Sequence, residues 1–254
     1  MLSETEIEFF NAQGYLAIPQ VIDAAQIARL KDLSEAEFAR IRAGQRSEWD
    51  LLEDPDYGPN AIFRLSRVMA RHPEFQAVAT CPTVAEAARG LLGPQAAVCV
   101  NRHNMMVVKA PHVGRQIDWH QDGVNWGSAR MVSFMLFLDD ASPENGCLEI
   151  IPGAHRRGLY KSVTNNAGGG MDLNDPAQAA LVRQAVPLCV KAGAGLFFHS
   201  ALPHFSKANT SERYRRNLTF AYIGNTEDFN REALAAGRSA IESLPLTAPQ
   251  GQLV

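Results

Sequence analysis

The sequence predicts a mainly β protein with α-helices, a sandwich or barrel of short strands preceded by a helical third. Three observations carry that prediction. The first ninety residues show helix caps and apolar residues at helical spacing. From about residue 96, short apolar runs alternate with turn residues. The chain of 254 residues is long enough to bury its own core as one domain.

The elements follow in order. Ser3-x-x-Glu6 is a capping-box pattern ahead of Ile7, Phe9 and Phe10, and Gly14 ends that helix. Tyr15–Ile18 reads as a short strand closed by Pro19. Asp23 caps a second helix carrying Ile27, Leu30, Leu33, Phe38 and Ile41. Gly44 to Asn60 is polar and turn-rich, the composition of a surface loop. Phe75, Val78, Val84, Ala87, Ala88 and Leu91 mark a third helical region that runs to Gly93. The strand-like runs are 96–100, 105–108, 131–138, 147–151, 196–198 and 218–223. Gly168–Asp175 interrupts them as a long glycine-rich loop, either a lid or a plain connector. Residues 225–254 form a tail with a helix expected at Arg231–Leu244. The division is thus a helical part at about 1–95, a β core at about 96–224 and the tail, all within one domain spanning 1–254.

Composition excludes several classes. Hydrophobic residues make up 46% and charged residues 20%, so the chain is not disordered. A net charge of −3 argues against a nucleic-acid partner. Cys81, Cys99, Cys147 and Cys189 form no C-x-x-C pair and read as reduced thiols. The most apolar run, Met131–Leu138, is far shorter than the ~20 residues of a membrane span. The start is acidic, unlike a signal peptide. The expectation is a soluble, cytoplasmic protein with a small-molecule substrate and no membrane partner.

His120-Gln121-Asp122 sets an imidazole and a carboxylate two residues apart, on one face if the segment is a strand. That is two-thirds of the facial triad used by non-haem iron(II). A third ligand must come from a neighbouring strand, and His199 and His204 are the candidates. Ser206, Asn209, Ser211 and Arg215 downstream favour His204. Arg215 can lie on the next antiparallel strand and pair bidentately with a carboxylate entering the site. On that strand Arg215, Asn217 and Thr219 share one face, and Leu218, Phe220 and Tyr222 share the other.

Three blocks then stand in order. They are Trp119-His120-Gln121-Asp122, the run Pro143-Glu144-Asn145-Gly146-Cys147-Leu148-Glu149-Ile150-Ile151-Pro152-Gly153-Ala154-His155, and His204-x-Ser206-x-x-Asn209-x-Ser211-x-x-x-Arg215. With the Phe10–Tyr15 pattern they resemble the phytanoyl-CoA dioxygenase family of iron(II)/2-oxoglutarate-dependent oxygenases, from about Phe9 to Tyr222. The resemblance implies a double-stranded β-helix (jelly-roll, cupin-like) core with the N-terminal helices packed outside. It implies His120, Asp122 and His204 as iron ligands and Arg215, helped by Ser206, as the anchor for the distal carboxylate of 2-oxoglutarate. It places Gln121 and Met106 near the cosubstrate. The cofactors would be Fe(II), 2-oxoglutarate and O2. The reaction would be hydroxylation of an unactivated C–H bond with release of succinate and CO2. Desaturation and cyclisation use the same site.

The chain departs from the family at Phe205, where a glycine is common after the distal histidine, and at Ala154, where the family often reads Gly-Ser-His; Phe205 can reshape the pocket. The family's iron halogenases lack the carboxylate ligand, so Asp122 argues against halogenation. His155 and His199 read as structural neighbours of the site. Arg102, Asn104, Trp126 and Arg130, with the Gly168–Asp175 loop, are the substrate-pocket candidates. Arg102 and Arg130 would suit an anionic substrate, or else stand solvated. Two other classes compete. A non-catalytic cupin-like ligand-binding barrel has no need of the complete ligand set, and a cupin enzyme without a cosubstrate has no need of Arg215.

Overall fold

The computed structural model describes residues 1–52, 61–128 and 130–246. Helix α1 (Glu4–Gln13) begins at a formed Ser3/Glu6 capping box and stops at Gly14, whose φ of 82° a side chain resists. Strand β1 (Tyr15–Ile18) follows, then α2 (Ala24–Arg42), capped reciprocally by Asp23 and Gln26. Two strands come next, β2 (Asp50–Leu52) and β3 (Ile62–Ser66), and then α3 (Pro73–Thr80) and α4 (Pro82–Leu92), each with proline in its first turn. The β core comprises β4 (Ala97–Cys99), β5 (Asn104–Lys109) and β6 (Ile117–His120). The short helix α5 (Asp122–Trp126) precedes β7 (Met131–Phe137), β8 (Leu148–Ile150), β9 (Ser162–Asn165) and β10 (Gly168–Met171). Helix α6 (Pro176–Val182) leads to β11 (Val186–Leu188), β12 (Gly195–His199), β13 (His204–Ser206) and β14 (Arg215–Ile223). Helix α7 (Thr226–Ala235) and β15 (Ser243–Pro245) end the described chain.

The strands form two antiparallel sheets, the double-stranded β-helix expected from the sequence. The larger runs β1-β12-β7-β14-β5-β3-β2, with β4 joining β14 and β15; the smaller runs β11-β8-β13-β6-β10-β9. The period-2 alternation of the strands gives each face of the large sheet one job. One face carries Met106, Val108, Phe134, Leu136, Leu218 and Phe220 into a core with residues of α2, α3 and α4, among them Phe38, Phe75 and Val84. This apolar face is what the N-terminal helices cover. Between the sheets, Met135, Phe137, Leu148, Ile150, Leu196 and Phe198 form a second core.

Three expectations change. Within Gly44–Asn60, Asp50–Leu52 is a strand, and residues 53–60 lie outside the described residues. The glycine-rich loop is half of a β9–β10 hairpin that adds to β6, with Gly170 opposite His120. A Cβ on Gly170 would lie 1.7 Å from Asn165 Nδ2, so a side chain there would displace the bond that this amide donates to the Trp119 carbonyl at 3.2 Å. The tail helix lies earlier than expected: it ends near Gly237, at φ 70°, and residues 243–245 instead extend the large sheet beside β4. Residues 247–254 of the tail lie outside the described residues. Among the described residues no helix is long and apolar enough to cross a membrane.

Candidate metal centre and cosubstrate cavity

Strand pairing assembles the three ligand candidates. His120 ends β6, His204 begins β13, and the two stand opposite each other in register with ring centroids 4.1 Å apart. Asp122 opens α5 just beyond. Its Oδ1 lies 3.7 Å from His120 Nε2 and 3.8 Å from His204 Nε2. One ligand atom from each of the three falls within 4.8 Å of the others. All three residues are buried.

The backbone sets the ring orientations. His120 Nδ1 meets the carbonyl of Asp118 at 2.7 Å, and His204 Nδ1 meets that of Leu202 at 3.0 Å. A carbonyl only accepts, so each Nδ1 carries the proton and donates it, leaving the Nε2 lone pairs aimed at one point. Burial, with His204 beside it, pushes the imidazole of His120 down to about 3, so it is neutral. Burial alone would raise the Asp122 carboxyl. His103, His204 and His120 overcome it and hold the group below the ordinary carboxylate range. The remaining oxygen, Oδ2, accepts from Ser133 Oγ at 2.6 Å and lies 3.3 Å from His103 Nε2. Two imidazoles, each presenting Nε2, and one ionised carboxylate on one face are the donor set that suits octahedral iron(II) with open positions.

Arg215 shares the same cavity of about 360 Å³ with the three ligands. It is 2% exposed. Its Nε and Nη2 donate to the carbonyl of Gly146 at 3.2 and 2.9 Å, and Nη1 donates to Asn217 Oδ1. No carboxylate pairs with it among the described residues, and burial pushes it down to about 10. Ser206 Oγ, also on the cavity wall, is buried with no hydrogen-bond partner among the described residues. A buried cation without a counter-ion beside an orphaned hydroxyl is a cradle for an anion. The donor set and this cradle together fit iron and a dicarboxylate cosubstrate.

The local sequence explains why the cradle forms. Ser142 and Asn145 cap a 3-10 turn at Pro143–Asn145, and Gly146 leaves it at φ 76°. A Cβ there would lie 2.3 Å from the Lys207 carbonyl, so only glycine presents its own carbonyl to Arg215. Asn209 bonds the carbonyls of Lys109 and Arg213 at 2.9 and 2.7 Å, which fixes the return from His204 to Arg215.

Not every sequence candidate lies on the cavity. Asn217 and Thr219 line it with Arg215, as the alternation required. Met106 does not: it is fully buried in the core beneath the helices, while Met105 and Val107 face the cavity. The shift is one residue of strand parity, which exchanges the two faces. Gln121 points away from the metal centre. Its amide donates to the carbonyls of Gly158 and Ala201 at 2.9 and 2.6 Å and accepts from Tyr160 N at 2.8 Å, so it is a loop clamp. Arg130 is on the surface, paired with Glu232 at 2.8 Å. Asn104 borders an outer lobe of the cavity, but its side chain is engaged by Met69 N and Val100 O. Arg102 and Trp126 line that lobe. From the hairpin it is the turn residues Asn166 and Ala167 that reach the cavity. Phe205 also reaches it, stacked on Trp119 at 5.2 Å. His155 and His199 pack on each other, 5.1 Å between ring centroids, and neither lines the cavity.

Ser133, Arg64 and His103 are residues of the site that sequence reasoning missed. Arg64 enters from β3, whose Ile62-Phe63-Arg64-Leu65-Ser66 run is a strand signal hidden between helices. His103 reaches the Asp122 carboxylate from a backbone φ of 46°, a conformation that no local pattern announced.

The family model described as phytanoyl-CoA dioxygenase (PhyH) matches residues 10–217. Phytanoyl-CoA dioxygenase domain-containing protein 1 of Mus musculus is 32% identical over 158 residues, 59% of this chain and 53% of that protein. The match thus spans about half the length of that relative. Methylphosphonate hydroxylase of Gimesia maris is 26% identical over 240 residues, 93% of this chain and 86% of that one. Among solved structures, EctD from S. alaskensis with 2-oxoglutarate and 5-hydroxyectoine superposes with a TM-score of 0.75 at 24% identity, covering 89% of this chain and 77% of EctD. That likeness bears on the fold.

Proposed function

Because this chain belongs to the phytanoyl-CoA dioxygenase family, we propose that it is an iron(II)- and 2-oxoglutarate-dependent oxygenase that hydroxylates a C–H bond of a small-molecule metabolite, releasing succinate and CO2. One observation carries the reading: His120, Asp122 and His204 share a single cavity with a buried arginine that has no carboxylate partner among the described residues. Metal and cosubstrate, when bound, supply an oxidant from O2 as 2-oxoglutarate is decarboxylated.

The protein's own groups do the rest. His120, Asp122 and His204 hold the metal, and Ser133 and His103 fix the Asp122 carboxylate. Arg215 and Ser206 hold the distal carboxylate of the cosubstrate and so set its orientation. Met135, Leu148 and Phe198 wall the cavity with apolar surface and keep water from it. Desaturation or cyclisation would use the same groups. A ligand-binding barrel without chemistry would gain nothing from the complete set.

Residues 1–254 act as one catalytic domain in this reading. The support is the packing of α2–α4 on the sheet that bears Arg215. The relative that hydroxylates methylphosphonate, by its name, supports a small substrate. Four free cysteines support a reducing, cytoplasmic setting.

Anaerobic titration of the apo-protein with iron(II) and then 2-oxoglutarate tests the reading. The chelate should give a weak visible band near ~500 nm, as expected for this ligand set. The band should be absent in His120→Ala and require far more cosubstrate in Arg215→Ala. Failure of the wild-type protein to bind either component would sink the assignment.

A further inference from the structure

Outward from the metal, the cavity continues into a second lobe of about 420 Å³ that shares Arg64, His103, Met105 and Asn125 with the first. Among the described residues three arginines face it, Arg64, Arg67 and Arg102, against one carboxylate, Glu48. Arg67 lies over the Trp49 ring at 3.9 Å. Arg64 and Arg102 make no ion pair or side-chain hydrogen bond among the described residues, and Arg64 Nε is buried with no partner. Burial and the nearby charge of Arg115 both push the Arg64 guanidinium down, the mark of a cation held without its anion. Arg67 and His103 also adopt left-handed backbone, at φ 56° and 46°. Such conformations are strained for non-glycine residues and tend to gather at ligand clamps.

Charge bookkeeping separates this lobe from the cosubstrate site. With iron(II) and 2-oxoglutarate in place, the two charges of the metal and that of Arg215 balance Asp122 and the two carboxylates of the cosubstrate. The inner site is then neutral. Among the described residues the outer arginines exceed Glu48 by two positive charges, and the cosubstrate leaves that excess unanswered. A low-dielectric cleft of one sign concentrates ligands of the other.

We propose that the outer lobe binds an oxyanion group, carboxylate or phosphoryl-type, of the substrate, with Arg64 and Arg102 as its anchors and the reacting C–H bond directed toward the metal. The proposal rests on the oxygenase reading and names the substrate class for it. Arg64 borders both lobes and so grips the end of the anion nearer the metal, while the more exposed Arg102 meets it at the mouth.

Sulfate is a suitable probe, because it is a dianion across neutral pH. Calorimetric titration of the iron(II)/2-oxoglutarate-loaded protein under anaerobic conditions, at fixed ionic strength, should show one sulfate site. Arg64→Gln and Arg102→Gln should each weaken sulfate about tenfold, the scale of a lost charge-assisted contact. The 500-nm-region band should form at unchanged 2-oxoglutarate concentration in both variants. Absence of sulfate binding, or equal binding in wild type and variants, would overturn the proposal. So would an Arg64→Gln protein that loses 2-oxoglutarate as strongly as sulfate, because Arg64 would then belong to the cosubstrate. If the wild-type protein forms no band, the oxygenase reading fails separately. Sulfate binding to metal-free Arg215→Met protein then decides the anion site, with dependence on Arg64 and Arg102 supporting it and independence refuting it.

Discussion

Replacing Arg215 by methionine separates the two effects of its guanidinium. In the cosubstrate-free protein the group is a liability. Burial pushes it from the ordinary 12.5 to about 10, and at ~1.4 kcal/mol per unit the desolvation costs about 3 kcal/mol. Its bonds to Gly146 and Asn217 return part of that, ~1 kcal/mol for each acceptor left unsatisfied by the substitution. Methionine fills similar volume without a charge, so the variant should be about 1 kcal/mol more stable without cosubstrate, a rise of ~2–4 °C in Tm for a chain of this size. With cosubstrate the sign reverses. A buried carboxylate that loses its arginine costs about 3–5 kcal/mol, which is ~10²–10³ in affinity. Thermal melts with metal, with and without 2-oxoglutarate, read both quantities. Wild-type Tm should climb with 2-oxoglutarate and the variant's should not. A variant that melts 5 °C or more below wild type without cosubstrate would show that Arg215 is a structural cation. A variant stabilised as strongly by 2-oxoglutarate would refute the cradle.

Two further predictions follow from contacts at the site and from the ion pairs of β2 with α2 and Arg71. Ser133→Ala removes the 2.6 Å bond to Asp122 Oδ2 and should weaken iron(II) about tenfold in a competitive chelator titration while the fold is retained; unchanged affinity would remove Ser133 from the site. Asp50 pairs with Arg40 at 2.9 Å and Arg71 at 2.7 Å, and these partners, with Ser47 N, overcome its burial and hold it at about 2. Because the folded value is depressed, the ~2 kcal/mol it contributes is present above the unfolded value near 4 and is lost as pH falls through 2. Asp50→Asn should flatten the acid limb of a stability–pH curve measured by urea melts, and an unaltered limb would contradict the ion-pair account.

The proposed ligands His120, Asp122 and His204 and the proposed anchor Arg215 stood out through the His120/Asp122 spacing and through the resemblance of their motif blocks to the family. His120 and Asp122 are two residues apart, Asn209 holds a fixed-length return, and Gly146 is the residue that can turn at φ 76° with a carbonyl against its Cβ position. Met106 was misplaced because a run of Met105, Met106, Val107 and Val108 is apolar on both faces, so hydrophobicity does not reveal parity. Gln121 was misplaced because its neighbours in sequence are ligands, while its own partners, Gly158, Tyr160 and Ala201, lie 37 or more positions away.

The sequence by itself pointed to the class of fold, since caps and alternation act within a few residues of chain, and the family resemblance of its motif blocks brought forward His120, Asp122, His204 and Arg215 as a candidate set. Tertiary structure alone decided what else faces the cavity. Strand β3 pairs with β5, placing Arg64 opposite Val107 from more than forty positions away. The turn bearing Arg102 and His103 meets the same lobe from another direction. Arg130, equally basic and equally plausible on paper, is drawn off by Glu232 on α7. Which cations face an anion and which face solvent follows from long-range pairing between sheets and helices, and that pairing is set by burial of the whole apolar surface at once.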